Sequence, residues 1–461
     1  MIKKNKKIKI HFIGIGGIGM SGIAELMYKI GYSIIGSDKK AGENVKRLRD
    51  IGIIVNIGHS KKNLQDVNAV VFSSAINQNN PEILEAKKNK IPIVSRADML
   101  GELMKNKKCI AVAGSHGKTT TTSLVGNILE SGRLDPTIVN GGIINSFSKN
   151  NKFGKGEWMV VEADESDGSF LRLPHQISII TNLDIEHLDY YNSPQNLYYA
   201  FEQFIMKLPF YGISIINEDD KNLKKIIKNN RARKIITFSK KNKIANIFIE
   251  KISFEKEYTK FKLKFNISIN NIKGSHTYKI KAIGIHNVLN GTASIIAGLL
   301  SGVKNNYIKT ALRNYIGVKR RFTYLGRVNL SSIYDDYAHH PTEIAATLQG
   351  AKQINKNIIV VFQPHRYSRT KILFNDFISI LSKINKLYLL DTYSAGETKI
   401  NGYESNDLYI NLKKKNKKIF YVGKNNLNNI IYKETTKKNI IIFMGAGSVS
   451  SMASNFIKID E

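Results

Sequence analysis

The stretch Ala111-Val-Ala-Gly-Ser-His-Gly-Lys-Thr-Thr-Thr-Thr122 constrains what this chain can fold into more than any other. An apolar strand runs into a turn and then into a helix expected from Thr119, which is the strand–loop–helix corner of an α/β sheet. Gly114 and Gly117, flanking Ser115 and His116, let the backbone curl so that successive N–H groups point inward at a phosphate. Lys118 can reach outer phosphates, the Thr119 hydroxyl is a natural Mg²⁺ ligand, and the helix opening through Thr120 adds its positive dipole. Together these spell a nucleoside triphosphate held with Mg²⁺. The spacing departs from GxxxxGK[ST], because Val112 stands where the first glycine belongs. Taken alone, the loop therefore also admits an ordinary strand-to-helix turn.

Strand and helix signals alternate along the rest of the 461 residues, a length that suits roughly three domains. A first series has strands over Ile8–Ile15, Ser33–Ser37, Asn68–Ser73 and Ile91–Val94, with a helix over Ile18–Ile30. A second opens at Cys109, with strands near Trp158–Ala163, Ile177–Thr181 and Ile213–Asn217. Lys251–Ile283 alternates polar and apolar residues and reads as an insert of antiparallel hairpins before a helix near Asn287. A third starts near Phe322, with strands at Ser332–Asp335, Asn357–Phe362, Lys386–Asp391 and Asn439–Met444. The expected fold class is α/β in three domains, each on a mostly parallel sheet. These are a Rossmann-like domain over 1–105, a P-loop ATPase-like domain with the antiparallel insert over 106–320, and a Rossmann-like domain over 321–461.

Composition excludes several classes. No apolar run approaches the ~18 residues of a membrane span, so membrane insertion is not expected. The basic start of the chain resembles a signal peptide's charged region, but Ile8–Met20 is punctuated by glycine and has no cleavage site, so it reads as strand and turn. Cys109 is the single cysteine, expected in the core. A cytoplasmic location follows from these features. The net charge of +33 raises the question of nucleic acid. Runs such as Lys413–Lys418 and Lys224–Arg231 travel with Asn and Ile, as an AT-rich genome would write solvated faces, and lack the interleaved aromatics that stack bases. No nucleic-acid partner is expected.

Six further constellations carry chemistry. Gly14, Gly16, Gly17 and Gly19 follow a strand and precede a helix, with Asp38 closing the second strand; this fits a diphosphate-bearing nucleotide, NAD or a nucleotide sugar, with the acid near a ribose. Glu162, Asp164, Glu165 and Asp167 follow a strand where a Mg²⁺–nucleotide site needs oxygen ligands, unless they form a solvated acidic loop. His187, in Thr181–Asp189, is a metal ligand or a structural histidine. Asn287 and Asn290 open a helix and can read adenine, although an N-cap is the default for such an asparagine. Asp335–Glu343, holding Tyr337 and His339, follows another strand. So does Gln363–Thr370, where Arg366 and Arg369 suit bidentate capture of a small carboxylate, unless they are plain surface arginines.

In this order the motifs resemble the Mur ligases of peptidoglycan synthesis, over nearly the whole chain. The resemblance is carried by GIGGIGMSGIAE (Gly14–Glu25), GSHGKTTTT (Gly114–Thr122), VEADESDGSF (Val161–Phe170), Thr181–Asp189, His286–Asn290, KRRF (Lys319–Phe322), Asp335–Glu343 and Phe362–Thr370. The short phosphate loop is that family's form. GIGGIGMS with EADESD looks like the alanine-adding branch. The resemblance implies that the lactyl carboxylate of UDP-N-acetylmuramate attacks the γ-phosphate of ATP, and that the amine of L-alanine then displaces phosphate from the acyl phosphate. By similarity Lys118, Mg²⁺ and Arg321 gather positive charge there; Thr119 and Glu162 hold one Mg²⁺ and His187 a second. Asn287 and Asn290 take adenine, and Tyr337, His339, Arg366 and Arg369 receive alanine. The Gly14–Gly19 loop carries the UDP diphosphate, with Asp38, Ser73 and Ser74 near the nucleoside. Asn140, before Gly141-Gly142, departs from the apolar residue expected there. A sister ligase attaching a recycled peptide shares most motifs. A nicotinamide dehydrogenase would leave the phosphate loop idle, and a nucleic-acid-stimulated ATPase would leave the first domain idle.

Overall fold

The computed structural model describes residues 8–73, 75–146, 149–230, 232–255 and 257–458. They form an α/β fold on three sheets. The first is fully parallel, with strands in the order Ile54–Ile57, Ser33–Asp38, Lys9–Ile13, Ala69–Phe72, Ile93–Ser95. The reversal of strand order beside Lys9–Ile13 makes a switch point, and the Gly14–Gly19 turn leaves that strand's carboxyl end.

The second sheet has ten strands. Its parallel part runs Ile247–Phe254, Lys234–Ser239, Ile213–Asn217, Ile177–Ile180, Lys108–Ala113, Trp158–Glu162, Thr137–Ile144. Thr259–Ile269 and Ile272–Ile280 extend one edge, joined by Asn270 and Asn271 at φ 47° and 63°, the left-handed pair of a tight hairpin turn. The expected antiparallel insert is therefore present. The opposite edge carries an antiparallel strand, Lys149–Lys152, which no local pattern of residues marks. Asn140 lies buried in Thr137–Ile144, and neither of its amide atoms has a hydrogen-bond partner among the described residues.

The third sheet runs Thr323–Val328, Ser331–Asp336, Ile440–Met444, Ile358–Phe362, Lys386–Leu389, Ile419–Tyr421, parallel except for its first pair. Its central strands IIVVF and IIIFM are buried at every position. Such unbroken apolar runs are what helices on both faces of a parallel sheet demand, and each buried large side chain contributes about 1.5–3 kcal/mol.

By internal contacts the chain divides into two compact units. One comprises Met1–Lys251, Lys262–Tyr278 and Leu289–Tyr315; the other comprises Ile252–Phe261, Lys279–Val288 and Ile316–Glu461. No described helix is long and apolar enough to cross a membrane.

Candidate functional site

In the first unit, the Gly14–Gly19 turn is fastened to the end of the neighbouring strand. Gly14 and Ile15 donate their N–H groups to the Ser37 carbonyl at 2.8 and 3.0 Å, and Gly16 donates to Asp38 Oδ2 at 2.8 Å. Gly14 has φ 73°, and a Cβ on Gly16 would stand 2.9 Å from the Asp38 carboxylate, so both positions need glycine. Asp38 thus pins the loop in addition to any role at a ribose. Gly17 is the N-cap of the helix Ile18–Lys29. Ser73 follows the strand Ala69–Phe72; Ser74 lies outside the described residues. A Cβ on Gly19 would meet the Arg96 guanidinium at 3.2 Å. Arg96, which opens the helix Arg96–Met104, forms no ion pair among the described residues, and its field reaches Asp164.

The phosphate loop lies in the same unit. Gly114 at φ 126° and Gly117 at φ 81° make the curl, and the helix begins at Lys118, one residue before the expected Thr119. Ser115 N–H donates to the Asn182 carbonyl, and His116 N–H to Asn182 Oδ1 at 2.8 Å, so the Thr181–Asp189 segment holds the loop's shape. Asn290 crowds Gly117, where a Cβ would stand 2.8 Å from its amide oxygen. The N–H groups opening the helix at Lys118, Thr119 and Thr120 have no carbonyl one turn back and face an anion by geometry.

Lys118 Nζ lies 2.8 Å from Glu165 Oε1 and donates to the Gly114 carbonyl at 2.6 Å. Burial opposes its charge, but Glu165, Asp164 and Glu162 outweigh it and hold its pKa above the usual lysine range. Burial pushes Glu165 up to about 7, against the pull of Lys118. Thr119 Oγ1 donates to Glu162 Oε1 at 3.1 Å, and Gly141 N–H donates to Glu162 Oε2 at 2.7 Å. His187, in a left-handed conformation at φ 57°, places Nε2 3.8 Å from Glu165 and 3.7 Å from Glu186. A hydroxyl and several carboxylates around one lysine are the hard oxygen donors that Mg²⁺ takes, and Glu165 Oε2 is buried without a hydrogen bond among the described residues. The donor set fits Mg²⁺.

In the second unit, Arg321 is set between Arg320 and Phe322, both at positive φ, 64° and 47°. Phe322 N–H donates to Asp336 Oδ2 at 2.9 Å and Tyr337 N–H to the Arg320 carbonyl at 2.7 Å, which locks the KRRF turn to the strand end. The Tyr337 ring lies against both guanidiniums, 4.7 Å from that of Arg320 and 5.3 Å from that of Arg321. Glu343 joins Arg321 at 3.2 Å and lies 3.5 Å from His339. Burial, with Arg369 and Arg321 nearby, pushes His339 down to about 4 despite Glu343. Its Nδ1 lies 2.9 Å from the Tyr337 carbonyl, which can only accept, so the proton sits there and Nε2 is left as a base. Arg369 donates from its guanidinium to His365 Nδ1 at 3.2 Å. Arg366, at φ 69°, leans to Glu397 at 3.7 Å. Asn287 is not an N-cap: the helix starts at Ile285, and the Asn287 amide donates back to the Ile283 carbonyl at 2.9 Å.

Arg96, Asn182, Asp336 and Glu343 were not singled out from the sequence, and Glu165 was noted only as one acid among four. Their roles depend on contacts between distant segments; only Glu343, three residues after His340 in a capping box, leaves a local trace.

Profiles of the Mur ligase family match the chain over residues 9–108 (catalytic domain), 112–298 (middle domain) and 320–447 (glutamate ligase domain). A UDP-N-acetylmuramate–L-alanine ligase of Rickettsia africae is 44% identical over 463 residues, covering 98% of this chain and 95% of the relative. One of Gluconobacter oxydans is 46% identical over 395 residues, covering 85% of this chain and 83% of the relative. The crystal structure of a UDP-N-acetylmuramate–alanine ligase from Thermotoga maritima superposes with a TM-score of 0.82 at 30% identity, covering 98% of this chain and 99% of that one. A murein peptide ligase from Psychrobacter arcticus gives 0.71 at 22% identity, covering 98% of each chain, a likeness of fold alone.

Proposed function

The chain belongs to the Mur ligase family, and from that membership we infer that it is an ATP-dependent ligase joining L-alanine to the lactyl carboxylate of UDP-N-acetylmuramate in peptidoglycan precursor synthesis. The observation that carries this reading is the 44% identity, over 98% of the chain, to a relative of that activity. The peptide-attaching alternative has no comparable support, since that structural neighbour shares 22% identity.

The reaction moves electrons in two steps. A lactyl carboxylate oxygen attacks the γ-phosphorus, and the bond to ADP breaks. The alanine nitrogen then attacks the acyl carbon, loses a proton, and inorganic phosphate departs with the C–O electrons. Two anions must meet in the first step, so cationic groups fixed in place lower its barrier. We assign Lys118 to the outer phosphates, with Gly114, Ser115, His116, Gly117, Thr119 and Thr120 as the cradle. Arg321 is assigned to the transferred phosphate, and Asn287 and Asn290 to adenine. Thr119, Glu162 and His187 would hold Mg²⁺, which when bound screens negative charge on the phosphates. In the second step His339, neutral and with Nε2 open as a base, suits removal of the amine proton, while Arg369 and Tyr337 orient alanine with help from Arg366. Gly14, Gly16, Gly17, Gly19, Asp38, Ser73 and Ser74 are assigned to the UDP moiety, with Arg96 added beside the diphosphate loop.

Domain limits at 1–105, 106–320 and 321–461 fit the three sheets and this division of labour. A cytoplasmic site of action suits an enzyme consuming ATP and a nucleotide sugar. The test is phosphate release with UDP-N-acetylmuramate and ATP on adding L-alanine or a free peptide. Alanine-dependent turnover supports the assignment; turnover with peptide alone overturns it.

A further inference from the structure

The helix layer over the second sheet carries a basic face that its own stretch of chain does nothing to neutralise. From Lys221 to Lys243 there are ten lysines and arginines and no aspartate or glutamate. The helix Lys221–Asn229 buries Leu223 and Ile226 and turns Lys221, Lys224, Lys225 and Lys228 to solvent. None of these four, nor Lys234, forms an ion pair among the described residues. The preceding helix, Pro194–Met206, runs alongside. Lys225 Nζ stands 5.7 Å from the Tyr198 ring centre, Asn229 donates to Glu202 Oε1 at 2.7 Å, and Arg233 donates to the Met206 carbonyl at 2.7 Å.

The basic face thus adjoins the end of Pro194–Met206, and an apolar tip projects there. Phe210 is 92% exposed, with Tyr211 at 59% and Met206 at 42%. The two rings meet edge to face, 5.2 Å between centres and 88° between planes. The turn beneath them is tied down: Gly212 N–H donates to the Pro209 carbonyl at 2.8 Å, and Leu208 is buried. Single exposed apolar side chains are ordinary, but three neighbours held out on a fixed turn form a surface with a use. Tyr211 and Gly212 lead into Ile213–Asn217, whose first residue pairs with Ile177 on one side and Lys234 on the other. The tip therefore lies at the amino ends of these parallel strands. The phosphate loop leaves the carboxyl end of Lys108–Ala113, which runs in the same direction beside Ile177–Ile180. A body seated on the tip leaves that loop uncovered.

We propose that this tip docks on an anionic lipid surface, with Phe210, Tyr211 and Met206 entering the headgroup layer and Lys234, Lys228, Lys225 and Lys224 drawn to the lipid charges. An apolar foot beside a polybasic face supplies the two signals that reversible attachment to a bilayer needs. No described helix is long and apolar enough to cross a membrane, so the attachment is to the surface. Single-stranded nucleic acid suits the tip less, because it stacks on ring faces spaced along a groove, whereas these rings cover each other edge to face on a projecting turn.

The test is cosedimentation of the full chain with vesicles of phosphatidylcholine alone and of phosphatidylcholine mixed with phosphatidylglycerol. The wild type should bind the mixed vesicles about ten-fold or more tightly than the neutral ones, and less tightly as salt rises. Phe210→Ser combined with Tyr211→Ser should lose about ten-fold in that binding, as should Lys224→Gln, Lys225→Gln and Lys228→Gln combined. An unchanged melting temperature shows that both variants fold. Phe210→Trp keeps a ring at the tip and reads insertion directly, with the wild type and its single tryptophan as the blank. Its emission should shift to the blue on mixed vesicles and be quenched by brominated lipid. Wild type that ignores the mixed vesicles, Phe210→Trp emission that does not move, or full binding by the Phe210→Ser, Tyr211→Ser variant overturns the proposal. Capture of the wild type by a single-stranded oligonucleotide but not by vesicles overturns it in favour of nucleic acid.

Discussion

Lys118 Nζ and Glu165 Oε1 lie 2.8 Å apart, and both side chains are almost wholly out of solvent. A lysine placed this way is aimed as well as charged, because the carboxylate and the Gly114 carbonyl fix its stem against the loop it serves. Lys118→Ala should cost on the order of 10²–10³ in ligation rate while UDP-sugar binding stays nearly intact, since the sugar nucleotide is assigned to the other sheet of that unit. Steady-state rates with a binding titration check this. Glu165→Gln, which keeps the shape and removes the charge, should fall between the wild type and Lys118→Ala.

Removing Glu162 or His187 should raise the Mg²⁺ concentration for half-maximal activity, because under the proposed assignment each alanine variant takes a ligand from a site the nucleotide shares. The effect should be larger for Glu162, whose carboxylate already accepts from Thr119 and Gly141. Activity lost with an unchanged Mg²⁺ dependence would show that these side chains act otherwise.

The proposed alanine pocket gives an asymmetric expectation. Arg369 lies among His365 and His339, whereas Arg366 is drawn to Glu397. Arg369→Ala should therefore raise the KM for L-alanine more than Arg366→Ala, with little change in the KM for ATP or the UDP-sugar. Arg369→Lys should rescue only in part, because a point charge cannot form two parallel hydrogen bonds. A three-substrate titration decides. A shift in the ATP constant alone would place these arginines on phosphate.

Glu82 should make the first sheet sensitive to acid. Burial works against its charge, yet hydrogen bonds from His11, Ser37 and Asn63 let its carboxyl ionise at about 2 in the fold against an ordinary 4.5. A depressed pKa adds stability that is present above 4.5 and is lost as pH falls from 4.5 through 2; the shift corresponds to about 3 kcal/mol. Glu82→Gln should lower protection of the Phe12 and Val70 amides at pH 7 and flatten its decline in that window. Hydrogen exchange from pH 7 to 2 measures both. Parallel profiles for the two proteins would count against a special role for this carboxylate.

The sequence disclosed features written in short spacing. The glycine turns at Gly14–Gly19 and Gly114–Gly117, the acids after Val161 and the hairpin insert are all set by neighbours within a few residues. The helix start at Lys118 and the back-bonding of Asn287 differed from expectation because helix boundaries depend on which orphan carbonyl finds a partner. Arg96 beside Gly19, Asn182 bracing His116, and Glu82 between His11 and His59 were out of reach because each joins segments brought together only by sheet order.

Cys109 lies in the strand feeding the phosphate loop, wholly buried, with its Sγ 3.3 Å from the Met104 carbonyl. Burial pushes the thiol up to about 12, so at pH 7 it is held as the unreactive thiol. Maleimides and mild oxidants will pass this sulfur by. The natural chain is therefore a ready background for single-site labelling: a cysteine introduced at an exposed position such as Tyr199→Cys can carry a fluorophore or spin label without first removing the native thiol.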